Sequence, residues 1–445
     1  MNNTKKSSIL SKNGVSYLIP FILITSCFAL WGFANDITNP MVKAFSKIFR
    51  MSVTDGALVQ VAFYGGYFAM AFPAAMFIRK FSYKAGVLLG LGMYAFGAFL
   101  FFPAMLSGSY YPFLIAYFIL TCGLSFLETS SNPYILSMGT EETATRRLNL
   151  AQSFNPMGSL LGMYVAMNFI QNRLNPMDTI ERSQLLATEF EVVRDSDLSV
   201  LIGPYLIIGV VILVMLILIR MVKMPKNADQ PHDINFFPTL KRIFSIGYYR
   251  EGVIAQFFYV GAQIMCWTFV IQYGTRLFMS QGMGEKAAEV LSQQYNIVAM
   301  IIFCASRFIC TFILRYLSPG LLLKVLAIAA CGFTVGVIFI QDIWGMYCLV
   351  GVSACMSLMF PTIYGIALSG LGDDAKFGAA GLIMAILGGS VLPPLQASII
   401  DMQTLLGMPA VNVSFILPFI CFVVIIIYGH RSYVREKTMQ VDLTR

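Results

Sequence analysis

The stretch that decides the fold reads Tyr111-Pro-Phe-Leu-Ile-Ala-Tyr-Phe-Ile-Leu-Thr-Cys-Gly-Leu-Ser-Phe-Leu-Glu-Thr-Ser-Ser-Asn-Pro-Tyr-Ile-Leu-Ser137. It is long enough to cross the apolar core of a bilayer as a helix, which takes about 20 residues, and Glu128 is its one charged residue. A carboxyl group at bilayer depth costs about 2.5–3.5 kcal/mol even on lenient insertion scales. Such an acid is typical of a protein that handles a proton, an ion or a polar substrate inside the membrane. The alternative is a structural acid bonded to serine and threonine of a neighbouring helix.

The composition places the whole chain in the membrane. Of its 445 residues, 58% are hydrophobic and 12% charged, and the mean hydropathy is +0.74. These values predict an all-α integral membrane protein. The net charge of +8 needs no nucleic-acid partner, because the bases cluster between apolar segments. The nine cysteines show no Cys-x-x-Cys spacing and lie mostly in apolar runs, so neither a metal site nor a disulfide framework is expected.

Apolar runs of about twenty residues predict twelve transmembrane helices. They fall near 17–40, 57–78, 85–106, 111–137, 148–171, 200–222, 252–278, 291–314, 320–340, 344–369, 377–400 and 411–429. The longest hydrophilic interior stretch follows the sixth run. It predicts two six-helix halves, 1–222 and 251–431, with a cytoplasmic linker at 223–250 and a cytoplasmic tail at 432–445.

Glycines at small-xxx-small spacing predict close approach of helices. They form three pairs: Gly86 and Gly90, Gly158 and Gly162, and Gly332 and Gly336. Two segments that follow the second and eighth runs are weakly similar: Ile78-Arg-Lys-Phe-Ser82 and Leu314-Arg-Tyr-Leu-Ser318. This similarity favours duplicated, parallel halves.

Lysine and arginine predict the orientation in the membrane. With the N-terminus inside, the inner segments hold 21 of these bases and the outer segments hold 8. Because cytoplasmic segments carry the excess of bases, both termini should be cytoplasmic in a multi-pass protein of the inner membrane. The three bases that follow the first helix, Lys43, Lys47 and Arg50, are an exception to this rule.

The end of the first apolar run carries the second intramembrane acid. Trp31-Gly-Phe-Ala-Asn-Asp-Ile-Thr-Asn-Pro40 sets Asp36 and Asn39 three residues apart, on one helical face, with Asn35 beside them. Pro40 should break or kink the helix and free backbone carbonyls nearby. Asp36 is therefore a candidate for binding and coupling, although a helix end wetted by the outer surface is the alternative.

Polar groups also line up beside Glu128. Asn132 lies four residues later, on the same face. A carboxyl group removed from water favours its neutral form, which suits a group that takes up and releases a proton. In the fifth run, Gln152 and Asn155 are three residues apart and offer donors and acceptors without charge. That pattern suits the hydroxyl groups of a sugar or polyol, although an amide pair joining two helices explains it equally.

The seventh run carries a stripe of phenol, amide and indole. Tyr259, Gln263 and Trp267 follow one another at intervals of four residues. Aromatic faces and amides are the groups that commonly hold sugars, and ordinary aromatic packing is the alternative. Arg307 is the one base well inside a helix, where it is expected to pair with an acid, bind substrate or contact lipid headgroups.

Some chemistry is missing from the sequence. The two histidines, His232 and His430, lie in the linker and at the end of the last run, so an intramembrane enzyme or metal centre is not expected. No Walker motif or soluble nucleotide domain is present, which disfavours an ATP-driven pump. We therefore expect no cofactor, and an ion gradient or the substrate's own gradient as the driving force.

Taken together, several motifs in both halves resemble the fucose–proton symporter family of the major facilitator superfamily. They are Ala62-Phe-Tyr-Gly-Gly-Tyr67, Phe81-Ser-Tyr-Lys-Ala-Gly86, Leu127-Glu-Thr-Ser-Ser-Asn-Pro133, Arg147-Leu-Asn-Leu-Ala-Gln-Ser-Phe-Asn155, Tyr259-Val-Gly-Ala-Gln263 with Cys266-Trp267, and Pro361-Thr-Ile363. The resemblance implies the major facilitator fold and proton-coupled sugar import by alternating access. It implies L-fucose or a close monosaccharide as the substrate, with Glu128 carrying the proton.

The sequence departs from the general superfamily signature at one place and from the fucose family at two others. Arg79 stands where the superfamily loop signature usually has an acid, as is typical of the fucose branch. Phe360 stands where a tyrosine is expected before Pro-Thr-Ile. The family's essential first-helix acid aligns with Asn39 when residues are counted back without gaps, and with Asp36 when Asn-Asp-Ile-x-x-Pro is matched. Asp36 is the acid available, so we assign it the role.

Other functions stay open at this level. The same branch holds glucose, galactose and N-acetylglucosamine carriers. A proton-coupled efflux carrier for amphipathic compounds would use the same fold, and a sugar sensor that does not transport is a further alternative. A monomer is expected, with the substrate, the proton and the lipid bilayer as its partners.

Overall fold

A computed structural model describes residues 11–12, 15–138, 150–223, 236–314, 316–369, 371 and 375–443. The first half of the described chain contains the helices α1 Leu18–Thr38, α2 Met41–Ile48, α3 Val53–Gly56, α4 Leu58–Lys80, α5 Tyr83–Phe99, α6 Phe101–Leu106, α7 Tyr111–Ser137, α8 Phe154–Val165, α9 Thr179–Gln184 and α10 Ala187–Met221. A π-helical turn, Ala166–Ile170, and a 3-10 turn, Gln171–Arg173, continue α8.

The remaining helices are α11 Phe236–Ser245, α12 Gly247–Ser280, α13 Glu285–Ile313, α14 Pro319–Phe339, α15 Ile343–Met356, α16 Met359–Leu368, α17 Ala375–Met384, α18 Gly388–Ile400, α19 Ala410–Val413 and α20 Ile416–Leu443. A 3-10 turn, Ala385–Leu387, joins α17 to α18. Strands occur only as two short antiparallel hairpins in the described residues. They pair β1 Ser11–Lys12 with β2 Val15–Ser16 and β3 Thr404–Leu405 with β4 Met408–Pro409. The predicted all-α class is confirmed.

The helices match the predicted spans closely. Eleven helices in the described chain are long and apolar enough to cross a membrane. The remaining predicted span, the fifth (148–171), is α8 with its two added turns, and its residues 148–149 lie outside the described part. The predicted break at Pro40 is confirmed, because α1 ends at Thr38 and α2 starts at Met41. Proline lacks the backbone N–H that would continue the helix.

Two of the predicted spans are shorter than the helices in the structure. The sixth span starts near residue 187 rather than 200, and α20 continues beyond 429 to Leu443. A search for apolar runs stops at polar residues, but a helix continues through them when they find partners. Asp197, in the early part of α10, pairs with Arg182 at 2.7 Å, and both side chains are buried. The tertiary contact extends the helix beyond the apolar run.

The described helices form two compact units. The first consists of Met1–Ile37, Ala69–Gly162 and Ile202–Asp233, and the second of Thr38–Phe68, Met163–Leu201 and Ile234–Arg445. The second unit therefore combines segments from both sides of the linker at 223–250. The division into two six-helix halves stays a prediction from the sequence.

In the first unit, glycines let backbones approach closely. A Cβ atom at Gly158 would lie 1.8 Å from the Ala29 carbonyl oxygen, and one at Gly162 would lie 2.6 Å from the Phe33 carbonyl oxygen. Glycine at these two positions is therefore what allows α8 to pack directly on the backbone of α1. The prediction of close approach is confirmed for this pair.

The other two pairs behave differently from each other. A Cβ at Gly86 would lie 2.3 Å from Ser130 Oγ, and one at Gly90 2.8 Å from the Gly123 carbonyl oxygen, so α5 packs closely on α7. Gly336 approaches Cys348 Sγ at 2.6 Å by the same measure, whereas no atom lies within 4 Å at Gly332. The prediction holds for Gly336 and is wrong for Gly332.

In the second unit, α12 is the central helix. It packs against α13, α16, α18 and α20, and most of its residues are buried. A Cβ at Gly388 would lie 1.9 Å from the Phe257 carbonyl oxygen, which shows how closely α18 approaches α12. The centre of this unit is therefore a helix with little surface for lipid.

The glycine contacts give a first prediction. Gly158→Ala places a methyl group against the Ala29 carbonyl, and overpacking of this kind typically costs about 1–3 kcal/mol. Gly332→Ala is the matched control, because the added methyl group meets no atom and alanine favours a helix by about 1 kcal/mol over glycine. Thermal unfolding of the two purified variants in detergent should show a lower melting temperature for Gly158→Ala alone. Equal melting temperatures would contradict the close approach of α1 and α8.

Candidate functional site

Glu128 lies in the interior of α7, and its side chain is partly buried. Across the described residues, no hydrogen bond or ion pair reaches its carboxylate. Its backbone carbonyl accepts a hydrogen bond from Asn132 Nδ2 at 3.1 Å. Within the described part of the chain, the carboxyl group is therefore left available for a proton or a ligand, and no base neutralises it.

The predicted amides on α7 and near the start of α8 meet. Gln152 Nε2 donates to Asn132 Oδ1 at 3.3 Å, and Asn132 in turn bonds the backbone at Glu128. Gln152 is exposed, whereas Asn132 is partly buried. The structure thus connects Glu128, Asn132 and Gln152 through adjacent hydrogen bonds, which brings an acid together with uncharged donors and acceptors.

Asn155 is used differently. Its Nδ2 donates to the Phe28 carbonyl oxygen at 3.2 Å, so this amide joins α8 to α1. A Cβ at Gly32 would lie 2.1 Å from the Asn155 carbonyl oxygen, which places the two backbones in direct contact. This is the helix-to-helix role that the sequence left open for the amide pair, and the remaining surface of Asn155 is partly exposed.

The acid of the first helix is almost fully buried. Asp36 is 4% exposed and lies near the C-terminal end of α1, and Asn35 beside it is partly exposed. The alternative of an acid wetted at the helix end does not fit this burial. A charge removed from water needs compensating contacts, so burial sets Asp36 apart from an ordinary surface acid.

Asn39 belongs to a buried polar group that the sequence did not reveal. Gln60 Nε2 donates to Asn39 Oδ1 at 3.3 Å and to Thr268 Oγ1 at 3.0 Å. All three side chains are at most 1% exposed, and Gln60 Oε1 has no hydrogen-bond partner among the described residues. An amide inside the apolar run Leu58-Val-Gln-Val61 was the available signal for Gln60. Thr268 gave none, because single threonines are common in membrane helices.

The three residues of the stripe on α12 differ in their surroundings: two are buried and hydrogen-bonded, and one is partly exposed. Tyr259 is fully buried, and its hydroxyl donates to the Met356 carbonyl oxygen at 3.0 Å. Trp267 Nε1 donates to Ser353 Oγ at 3.1 Å. Gln263, between them, is partly exposed and bonds to no residue among those described. Its amide is therefore the member of the stripe that stays available to a ligand.

Arg307 on α13 is partly buried. Its Nε donates to the Ser357 carbonyl oxygen at 3.1 Å, and its guanidinium lies 4.9 Å from the centre of the Phe303 ring. No acid pairs with Arg307 within the described ranges. Phe360, which replaces the expected tyrosine, packs edge-on against the Tyr259 ring at 6.1 Å.

Comparisons with known proteins place these features in a family. The sequence profile of the Major Facilitator Superfamily matches residues 24–393. The L-fucose-proton symporter of Haemophilus influenzae is 51% identical over 423 residues, covering 94% of this chain and 97% of the relative. The L-fucose-proton symporter of Escherichia coli is 33% identical over 423 residues, covering 93% of each chain.

A solved structure agrees with the sequence comparisons. The major facilitator superfamily transporter FucP, crystallised in the outward conformation, superposes with a TM-score of 0.72 at 31% identity. The match covers 94% of this chain and 99% of that one. Fold and sequence therefore agree over nearly the full length.

The division within the α12 stripe gives a second prediction. Tyr259→Phe removes the hydroxyl and leaves the Met356 carbonyl buried without its partner, which costs about 1–3 kcal/mol. Gln263→Leu should cost nothing, since the amide bonds to no described residue. Thermal unfolding of both variants checks this difference. A stability loss for Gln263→Leu as large as that for Tyr259→Phe would mean that Gln263 is a packing residue too.

Proposed function

Because the chain belongs to the major facilitator superfamily and has that superfamily's twelve-helix fold, we propose that it imports L-fucose, or a closely related monosaccharide, together with a proton. The observation that carries the proposal is Glu128, an acid inside a membrane helix. No base among the described residues is paired with it, and Asn132 and Gln152 lie beside it. The 51% identity to an L-fucose-proton symporter supports L-fucose as the substrate.

Glu128 is proposed as the proton carrier. An acid removed from water favours the protonated form. A change in hydration or the approach of a ligand shifts the equilibrium between the protonated and ionised forms. The hydrogen bond from Asn132 reaches the backbone of Glu128 and leaves the carboxylate free to exchange a proton. Asp36, buried on α1, is proposed as the second acid that binds sugar and couples its movement to the proton.

Uncharged groups complete the proposed sugar site. Hydroxyl groups need both donors and acceptors, and side-chain amides offer both. The proposed contacts, besides the two acids, are Asn35, Asn39, Asn132, Gln152, Asn155 and Gln263, with the aromatic faces of Tyr259 and Trp267. We propose Arg307 as a gating residue or charge partner during the cycle.

The proposed cycle is alternating access. Protonated Glu128 lets sugar bind from outside, the two halves rock, and proton and sugar leave inside. The proton gradient supplies the driving force, with no cofactor. We place the carrier in the inner membrane as a monomer, with both termini cytoplasmic because the inner segments hold most of the bases.

A third prediction tests the coupling acid. Glu128→Gln keeps the shape and a hydrogen-bonding group but cannot release a proton, so uphill uptake should be lost while sugar counterflow continues. Glu191→Gln is the control, since Glu191 is an exposed acid on α10. Radiolabelled sugar uptake in proteoliposomes, with and without a pH gradient, measures both activities. Full gradient-driven accumulation by Glu128→Gln would exclude Glu128 as the proton carrier.

A fourth prediction tests the direction and the substrate. Addition of L-fucose to lightly buffered cells that express the protein should make the medium more alkaline, because a proton enters with each import event. Uptake of labelled L-fucose, glucose, galactose and N-acetylglucosamine at two pH values ranks the substrates. Acidification of the medium would indicate efflux by proton exchange, and a clear preference for another sugar would replace L-fucose as the substrate.

A further inference from the structure

The three bases that break the orientation rule all have partners in the second unit. Lys43 Nζ lies 3.2 Å from Glu285 Oε1 and 3.5 Å from Glu289 Oε1, and Lys47 Nζ lies 3.6 Å from Glu289 Oε2. Arg50 lies 3.7 Å above the Phe190 ring. Two lysines of α2 thus face two glutamates in the first turns of α13. All three exceptions to the orientation rule therefore take part in tertiary contacts.

This charge cluster is largely removed from water. The side chains of Lys47, Glu285 and Glu289 are 3%, 6% and 9% exposed, and that of Lys43 is 21% exposed. Glu285 also accepts from the backbone N–H and the hydroxyl of Thr179, each at 2.8 Å. Removing one member of a buried ion pair is costly, because the remaining charge is left uncompensated. The cluster is therefore a specific contact.

The contact joins the two sequence-predicted halves. Lys43, Lys47 and Thr179 lie before the linker, whereas Glu285 and Glu289 lie after it. Further along the same predicted outer side, the Asp401 carboxylate accepts from the Val53 N–H at 2.7 Å, and from the N–H and the hydroxyl of Thr54. Each of these bonds connects a segment of 1–222 to a segment of 251–431 at its predicted external end.

We propose that Lys43, Lys47, Thr179, Glu285 and Glu289 form an outer latch that holds the external entrance closed and opens once in every transport cycle. The inference rests on the proposed alternating access, in which the halves separate on the outer side. The charges favour this role over fixed packing. Separated by water, each lysine and glutamate is solvated at little cost, whereas apolar faces of the same size would resist exposure.

A cross-link tests whether the latch moves. In Lys43→Cys/Glu285→Cys, a short bifunctional methanethiosulfonate reagent joins the two cysteines through reducible disulfides, while Lys47 and Glu289 remain paired. Cross-linking should abolish L-fucose uptake in proteoliposomes, and dithiothreitol should restore it. Glu251→Cys/Arg431→Cys is the matched control, since this ion pair of 2.8 Å lies wholly within 251–431. Its cross-link should leave uptake intact, and both single-cysteine variants correct for the native thiols.

Normal uptake by the cross-linked Lys43→Cys/Glu285→Cys protein, with the link verified by peptide mass, would overturn the proposal. The uncross-linked protein tests the sugar assignment separately. If it carries another monosaccharide, that sugar replaces L-fucose in the assay and the latch is tested unchanged.

A second measurement needs no sugar at all. Ala44 lies between the two lysines on α2 and is 4% exposed. Ala44→Cys should react slowly with a membrane-impermeant maleimide added outside. The added changes Lys43→Met, Lys47→Met, Glu285→Gln and Glu289→Gln remove all four charges, so no buried charge is left alone. They should raise the labelling rate, whereas Glu251→Gln with Arg431→Gln should not. An unchanged labelling rate in the four-fold variant would show that the four charges do not keep the external entrance closed.

Discussion

The absence of water inside a bilayer constrains every part of this structure. Backbone groups there must bond within the chain, which leaves helices as the spanning element. The same constraint makes each polar side chain at depth costly unless it has a partner. Most of the buried polar side chains discussed here have one, such as Tyr259 with Met356 and Trp267 with Ser353. Glu128 differs, because no described residue bonds to its carboxylate.

Amides that look alike in the sequence also differ in their partners. Asn155 bonds to the Phe28 carbonyl and so joins two helices, although it resembles Gln152 in the sequence. Gln152 instead reaches Asn132, next to Glu128. Two amides at helical spacing therefore divide into one that holds the helices together and one that belongs to the acid's surroundings. Such a division depends on which neighbour lies across from each side chain.

The charges at the external ends obey a different physical balance. At a bilayer surface, a lysine or glutamate is solvated easily, so the net gain from pairing two exposed charges is small. When such a pair is buried, each charge requires an opposite charge beside it, so the contact is specific. The two charges can still separate if water reaches both of them. The outer latch, with Glu285 bonded by both Lys43 and Thr179, combines firm closure with a solvated open state. Glycine contacts such as Gly158 with Ala29 offer no such alternative, so they suit helices that stay together.

The sequence alone determined the membrane class, the twelve spans, the break at Pro40 and Glu128 as the acid of interest. Those features follow from hydrophobic run length, from the missing N–H of proline and from the cost of a charge in lipid, which are local properties of the chain. Only the tertiary structure shows that no atom lies near the Cα of Gly332 on its side-chain face, whereas the backbone of Ala29 packs directly against Gly158. It also revealed Gln60 and Thr268 beside Asn39, and gave Lys43 and Lys47 their glutamate partners. The lysine–glutamate contacts and the Gln60–Thr268 hydrogen bond join residues more than 200 positions apart, and no local pattern records which distant side chain a helix face will meet.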